Sequence, residues 1–186
     1  GVTRARQERV DHRAAALIQF DAVAVDASAR IGEEGEGLEI LSQVVDIATV
    51  GLSAEMLGGM SQAFDLAVEH LKQREQFGVK IGSFQALKHR AVRLFMEIEL
   101  CRASVLASAR AIDEGDDQVA QLVSLAKAQC SDAYVHVANE AVQFFGGVGV
   151  TDEYDIGFYL KRARVLEASW GSSSYLRGRF AKLSSY

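Results

Sequence analysis

Three glycine-containing segments carry the side chains best suited to ligand chemistry. The first, residues 74–85, combines Arg74, Phe77 and Gln85 with two glycines. An arginine pairs with phosphate, a phenylalanine stacks on flat rings and a glutamine hydrogen-bonds to polar edges. This segment could therefore bind a flat anionic ligand. A helix–helix turn with a hydrophobic plug is the alternative, and the segment alone favours that simpler interpretation.

The other two segments lie beside predicted helix ends. Gln143, Gly146 and Gly147 follow a long helical pattern, where glycines could expose backbone amides to a phosphate, although a helix C-cap is the simpler interpretation. Ser172 and Ser174 precede a helical pattern and are typical of an N-cap, or of an anion site built from hydroxyls and free amides. No catalytic triad, carboxylate pair or metal-ligand cluster emerges from the spacing.

The elements that position these segments are predicted to be helices. Hydrophobic periodicity predicts helices over residues 38–73, 84–114, 118–144, 154–167 and 172–183. Three long and two short helices joined by short loops predict a mainly α fold, an antiparallel helical bundle. The expected buried stripe of the first helix is Leu38, Leu41, Val45, Ala48, Leu52, Met56, Gly59, Ala63 and Leu66.

Residues 1–32 have a different pattern. Alternating residues around 4–9 and 20–25 predict short strands, and a glycine-rich join over residues 31–37 separates them from the first helix. Two or three strands alone would make a poor domain. We therefore expect a short β remnant over 1–32, either the end of an incomplete β domain or a strand pair lying on a partner, and a helical bundle domain over 33–186.

Composition limits the class of protein. The 186 residues are 49% hydrophobic with a net charge of −5, which favours a soluble globular protein without a nucleic-acid or membrane surface. Cys101 and Cys130 fall in helical patterns and are interpreted as reduced core thiols. The apolar stretch over residues 47–64 contains Glu55 and is interpreted as a buried helix. No signal peptide is visible, and a cytoplasmic location is expected.

The segments and their order resemble the C-terminal part of an acyl-CoA dehydrogenase. The strongest matches are residues 74–78 (REQFG) with 81–85 (IGSFQ), and residues 141–149 (AVQFFGGVG). Residues 20–25 are similar to the last β-domain strand of that family. The resemblance implies a full-length protein with an N-terminal helical domain, a β domain and this bundle, of which the first domain and most of the second are absent here.

The resemblance also implies FAD and a partner. Arg74 would reach the FAD pyrophosphate of a neighbouring subunit, with Phe77 near the adenine and Gln85 assisting. Gln143, Gly146 and Gly147 match a second FAD-contacting loop, and Ser172 and Ser174 lie in a segment that touches the subunit's own FAD. Such proteins are usually dimers of dimers, which implies a related acyl-CoA dehydrogenase subunit as the partner in a homo- or hetero-oligomer.

Both positions that carry the family's catalytic base lack a carboxylate. The aligned residues are Trp170 and Ala48, and neither side chain accepts a proton. Thr49 stands where an arginine near the CoA arm is usual. Glu55 and Glu167 are the nearest replacement candidates, and solvated or salt-bridged glutamates are the more ordinary interpretation of both. A bulky Trp170 could fill the acyl pocket.

These departures lead to one hypothesis and two alternatives. The chain would be a non-catalytic subunit, or a fragment of one, that completes the FAD site of a catalytic partner. In this it resembles actinobacterial heterotetrameric acyl-CoA dehydrogenases, which are associated with acyl-CoA intermediates of steroid side-chain breakdown. The alternatives are an active FAD-dependent dehydrogenase with an unrecognised base, and a flavin-free interaction bundle.

Overall fold

The computed structural model describes residues 1–186 as five α-helices with two antiparallel strand pairs. Each helix begins and ends within two residues of its predicted bounds, so the mainly α bundle is confirmed. The elements are β1 (Val2–Gln7), β2 (Ala15–Phe20), α1 (Gly37–Gln73), β3 (Glu75–Gln76), β4 (Val79–Lys80), α2 (Gln85–Glu114), α3 (Val119–Phe145), α4 (Ile156–Ala168) and α5 (Ser173–Leu183).

Helix α3 is the centre of the bundle and packs against each of the other four helices. Helix α2 runs antiparallel to it, as the Arg90–Glu140 and Glu97–His136 contacts show. The core lies between these helices, and its largest members include Met56, Met60, Leu94, Ile98, Tyr134 and Leu166. Cys101 and Cys130 are both buried in it, and both thiols are free.

The rotation of α1 differs from the prediction in its first half. Met56 and Ala63 are buried as expected, but Leu38 and Leu41 are 78% and 59% exposed. The interior face carries Asp46, Thr49 and Ser53 instead. The two hydroxyls donate to backbone carbonyls one turn earlier, at 2.6 and 2.8 Å, and Asp46 binds an arginine. Because each of these polar groups has a hydrogen-bond partner, its burial does not carry the free-energy cost of an unpaired polar group.

Helix α1 is also the one helix long and apolar enough to span a membrane by length and composition. Core helices of soluble proteins pass the same test. The apolar stretch over residues 47–64 supplies Met56, Met60 and Ala63 to the core of the bundle. The packing therefore favours the predicted core role for this part of the helix.

The N-terminal strands form a hairpin, and the sequence pattern predicted its second strand at the wrong residues. Strand β2 ends at Phe20, where a strand over residues 20–25 was predicted. Ala22 has a φ of +46°, which an extended strand does not allow. The hairpin pairs Val2 with Phe20 and Gln7 with Ala15. The division of the chain at residues 32 and 33 stays a prediction.

Candidate functional site

Residues 74–85 form a small hairpin, followed by a turn that leads into α2, at the end of α1. Phe77 and Gly78 have φ values of +56° and +77°, as a two-residue turn between strands β3 and β4 requires. A Cβ on Gly82 would lie 2.7 Å from the carbonyl oxygen of Leu71, so only glycine allows this close packing on the last turn of α1. The ring of Phe77 is 90% exposed, so it does not act as the plug that the simpler interpretation required.

Arg74 has a fixed backbone and a free side chain. Its N–H donates to the carbonyl of His70, and its own carbonyl accepts from Ile81 N, both at 2.9 Å. No carboxylate of this chain pairs with its guanidinium. Gln85, the first residue of α2, is exposed beside this hairpin. The arginine, the ring and the amide are therefore all available to a ligand or a second chain.

The second segment lines a recess at the same end of the bundle. Gln143, Gly146 and Gly147 border a cavity of about 490 Å³ together with Arg90 and Glu140. Gly146 has a φ of +66° and caps α3, and its N–H donates to carbonyls of the last turn, so this amide is not free for an anion. Arg90 donates two hydrogen bonds to Glu140 at 2.6 and 2.7 Å. These bonds hold the pKa of Glu140 below its usual value.

His70 connects the two segments. Its ring stacks on Phe145, next to Gly146, with ring centres 4.2 Å apart, and its carbonyl anchors Arg74. Burial and the nearby Arg74 guanidinium lower the pKa of His70, so the ring is neutral at pH 7. The fold therefore brings residues 74–85 and 143–147 to one end of the bundle. Arg74 carries a positive charge there that no carboxylate of this chain pairs with, whereas the charge of Arg90 is balanced by Glu140.

Trp170, one of the two base-position residues, lies elsewhere, beside a cavity between α1 and α5. This cavity has a volume of about 460 Å³. Trp170 forms part of its wall with a φ of +57°, and Thr49 lies at its buried side; Ala48 does not line it. Its lining residues are Leu38, Leu41, Ser42, Val45, Asp46, Thr49, Trp170, Gly171, Tyr175, Leu176 and Arg179.

The serine run beside this cavity forms the predicted N-cap. The Ser172 hydroxyl accepts from Tyr175 N at 3.3 Å, which satisfies one free amide at the start of α5. Ser174 is exposed in the first turn of α5. Ser172 and Ser174 therefore lie near Trp170 and the α1–α5 cavity, far from Arg74.

Asp46 is the only carboxylate that lines the α1–α5 cavity. Arg179 donates two hydrogen bonds to it, at 2.6 and 2.8 Å, and a third to Ser124 Oγ at 3.2 Å. The sequence interpretation missed this pair. Its signal was an aspartate on an otherwise apolar helix pattern, but the partner lies 133 residues away in the chain.

The two replacement glutamates are engaged outside the cavity. Glu55 accepts two hydrogen bonds from Arg162, at 2.8 and 3.0 Å. Glu167 pairs with Arg164 at 2.8 Å. Neither glutamate lines the cavity beside Trp170. Both glutamates are therefore salt-bridged, as the more ordinary interpretation of the sequence expected.

The predicted ligand residues thus form two groups. Thr49, beside the cavity, and His70, beside the hairpin, are about six turns of α1 apart, which is roughly 30 Å. Neither the α1–α5 cavity nor the recess beside Arg90 is lined by residues of both groups. The two groups therefore do not form one pocket within this chain.

Comparisons with known proteins agree with this architecture. A sequence model described as "Acyl-CoA dehydrogenase, C-terminal domain" matches residues 35–184. The short-chain-specific acyl-CoA dehydrogenase of Megasphaera elsdenii is 34% identical over 83% of this chain and 40% of its own length. The acyl-CoA dehydrogenase IpdE2 of Mycolicibacterium smegmatis is 41% identical over 64% of this chain and 37% of its own length.

The fold comparison gives the same result. The structure of butyryl-CoA dehydrogenase from Megasphaera elsdenii superposes with a TM-score of 0.94 and 29% identity, over all of this chain and 49% of that one. The chain therefore spans less than half the length of the relatives it matches.

Proposed function

Because the chain belongs to the acyl-CoA dehydrogenase family, we propose that it helps to bind FAD in an assembly in which a related partner supplies the catalytic base. The observation that carries the proposal is that the α1–α5 cavity has no carboxylate free to act as a base. Its only carboxylate, Asp46, is already bound by Arg179 through two hydrogen bonds. The chain is thus a non-catalytic subunit that acts through its contacts.

A general base must be free to accept a proton within hydrogen-bond reach of the substrate. Trp170 and Thr49 beside the cavity offer no proton acceptor of suitable pKa. Asp46 could accept a proton only by giving up its pairing with Arg179, which would leave a largely buried guanidinium uncompensated. Proton removal from an acyl-CoA would therefore depend on a carboxylate of the partner, which would also supply most of the acyl and CoA pocket.

The residues at the hairpin end suit a flavin dinucleotide. Arg74 is an unpaired cation suited to the pyrophosphate, and Phe77 is a fully presented ring suited to the adenine. Gln85 would assist them, Gln143, Gly146 and Gly147 would line the second contact, and Ser172 and Ser174 would contact a flavin at the cavity end. When bound, FAD supplies the hydride acceptor for the dehydrogenation.

The exposed position of these groups supports a shared site. Phe77 is 90% exposed, and the edge of Phe84, with ring centres 6.1 Å apart, is the aromatic contact that its own chain gives it. This exposed ring becomes favourable when a second surface or a ligand covers it. The partner we propose is a related acyl-CoA dehydrogenase subunit, in a dimer of such pairs.

The test is reconstitution with a related subunit that carries the base. We expect the mixed complex to retain FAD and to reduce it with acyl-CoA, and we expect Arg74→Ala to lower FAD content because the pyrophosphate loses its cation. Arg110→Ala is the matched control, since Arg110 is an exposed arginine of α2 without an ion-pair partner. Flavin content is read from the visible spectrum of each purified complex.

Three outcomes would count against this proposal. Full flavin retention in the Arg74→Ala complex would remove the role of that residue. Flavin reduction by acyl-CoA in the chain alone would support an active dehydrogenase with an unrecognised base. A colourless protein in every assembly would support a flavin-free interaction bundle.

A further inference from the structure

Lys127 is a fully buried cation in the middle of α3. Its relative exposure is 0%, and it is the only charged residue of the helix before Asp132. The ammonium group has three N–H donors, and it has three acceptors. These are Ser131 Oγ at 2.8 Å, the carbonyl of Gly171 at 3.3 Å and the carbonyl of Glu167 at 3.4 Å.

The two carbonyls lie on either side of Trp170. Glu167 is in the last turn of α4, where carbonyls lack a partner within the helix and the helix dipole attracts a cation. Gly171 follows Trp170 in the turn that leads to α5. The ammonium therefore bridges the start and the end of this turn.

The turn needs such a bridge because its backbone is strained. Trp170 has a φ of +57°, a region that bulky side chains rarely adopt. Gly171 follows with a φ of +108°. A strained conformation of this kind persists only when surrounding contacts hold it. The bonds from Lys127 are the contacts that reach both sides of the strained residue.

We propose that Lys127 is a positioning residue that holds the turn between α4 and α5, and thereby places Trp170 in the wall of the α1–α5 cavity. This assignment concerns the turn itself and holds whether or not the chain binds flavin. Lys127 acts through the backbone of the turn and does not line the cavity.

The surrounding charges exclude an ordinary ion-pair role for Lys127. On α1, Asp46 pairs with Arg179 of α5; on α3, Asp132 pairs with Arg177 of α5; and on α4, Glu167 pairs with Arg164. The remaining titratable neighbour is Cys130, whose thiol is buried against Cys101 of α2. No carboxylate is left to pair with the ammonium, so its partners are the turn carbonyls and one hydroxyl.

This environment makes the contact sensitive to pH. Burial lowers the pKa of Lys127 to about 8, while the negative charges of Glu167 and Asp132 partly oppose that effect. A neutral amine keeps two N–H donors for the turn carbonyls, and its lone pair can accept from the Ser131 hydroxyl, but these bonds lose the strength that the charge gives them. As the pH rises through about 8, the bonds to the turn should therefore weaken and Trp170 should become more mobile.

Trp170 reports directly on this process, because it is the only tryptophan of the 186 residues. Emission and acrylamide quenching are measured over roughly pH 6.5 to 9.5, which ends below the ordinary pKa of tyrosine. We expect a single transition with its midpoint near pH 8 in the unaltered chain. Lys127→Met should lack the transition and should show greater quenching at every pH. Lys88→Met, which changes an exposed lysine of α2, should keep it.

A second variant keeps the test decisive if Lys127→Met fails to fold. Ser131→Ala removes one acceptor but leaves both turn carbonyls, so the charged form loses a partner and the midpoint should move to lower pH. A flat titration of the unaltered chain would overturn the proposal. So would an unchanged transition in a folded Lys127→Met protein, or an unmoved midpoint in Ser131→Ala.

Discussion

Polar residues buried in apolar helices are the most informative residues of this chain. Asp46, Thr49, Ser53 and Lys127 are all buried, and all have hydrogen-bond partners. The only buried side-chain polar atom without a partner is Ser61 Oγ. Asp46, Thr49 and Lys127 lie close to the α1–α5 cavity or to the turn that forms its wall. These three buried polar residues are therefore grouped around the α1–α5 cavity and the turn beside it.

The Asp46–Arg179 pair should be necessary for stability. Asp46→Asn leaves the Arg179 guanidinium, which is only 25% exposed, without its counter-charge. We expect the free energy of unfolding to fall by about 2–4 kcal/mol, somewhat less than for a fully buried pair. Urea denaturation at neutral pH measures this effect, with Asp65→Asn on the exposed face of α1 as the control. Equal losses in both variants would show that the pair contributes nothing specific.

The buried Lys127 also predicts the pH dependence of stability. The pKa of Lys127 is about 8 in the folded chain, and its ordinary value is 10.5. At pH values between these two, the unfolded chain therefore binds more protons than the folded chain. The free energy of unfolding should therefore rise with pH in that interval, relative to Lys127→Met, by at most about 3 kcal/mol. The physical reason is that the fold no longer buries a charge. Parallel stability profiles of the two proteins would contradict this prediction.

At the scale of elements, the residues at which the helices begin and end could be predicted from the sequence. The face that α1 turns towards the core could not. The bounds follow from local signals, such as Gly115 with a φ of +65° at the end of α2. The rotation of α1 depends on Arg179, which satisfies Asp46 from a distant helix, so the exposure of Leu38 and Leu41 was not evident locally. Strand β2 was displaced for a similar reason, because its pairing with β1 decides its register.

The candidate site also has parts that could be predicted from the local sequence and parts that could not. Residues 74–85 and 143–149 could be identified because glycines, an arginine and aromatic residues are adjacent in the chain. The α1–α5 cavity could not, since its walls come from two helices and a turn that are far apart in sequence. Lys127 gave one weak signal, a lone charge among alanines, but its carbonyl partners depend on the packing of α4.

Adjacent glycines of α1 offer a matched test of helix packing. A Cβ on Gly59 would lie 2.3 Å from the Tyr134 hydroxyl, whereas a Cβ on Gly58 would meet nothing within 4 Å. We expect Gly59→Ala to lower the free energy of unfolding by about 1–3 kcal/mol. Gly58→Ala should raise it by about 0.5–1 kcal/mol, because alanine favours the helix. Denaturant unfolding of both variants measures these changes. A change of the same sign in the free energy of unfolding of both would contradict this packing.

At the scale of the whole molecule, α1 connects two separate ends. One end presents Arg74 and Phe77, and the other encloses the cavity beside Trp170. Two groups of predicted ligand residues near opposite ends of α1, too far apart for one site in this chain, are the arrangement expected if sites are completed between chains. The predicted cytoplasmic location and the division into two domains stay predictions.

The N-terminal hairpin is attached to the bundle by an ion-pair network centred on Arg162. The side chain of Asp11 is only 2% exposed and accepts a hydrogen bond from Arg162 at 2.6 Å. Arg162 also donates to Glu55, at 2.8 and 3.0 Å. Burial would raise the pKa of Asp11, but the hydrogen bond from Arg162 and the backbone N–H of Arg13 together lower it. The carboxylate therefore stays charged, and keeps the hairpin attached, down to pH values below its ordinary pKa of 3.8.

Asp11→Asn should detach this hairpin and leave the bundle folded. The amide keeps the shape of the side chain but removes the charge that Arg162 requires, and Arg162 retains Glu55. Trypsin should then cut faster at the arginines of residues 1–13, while the thermal melt of the helices changes little. Asp21→Asn, an exposed position in the same segment, is the control and should be cut like the unaltered chain. If both variants are cut at the original rate, the ion pair is dispensable for holding the hairpin on the bundle. If the helices melt early in Asp11→Asn, the hairpin is an integral part of the bundle.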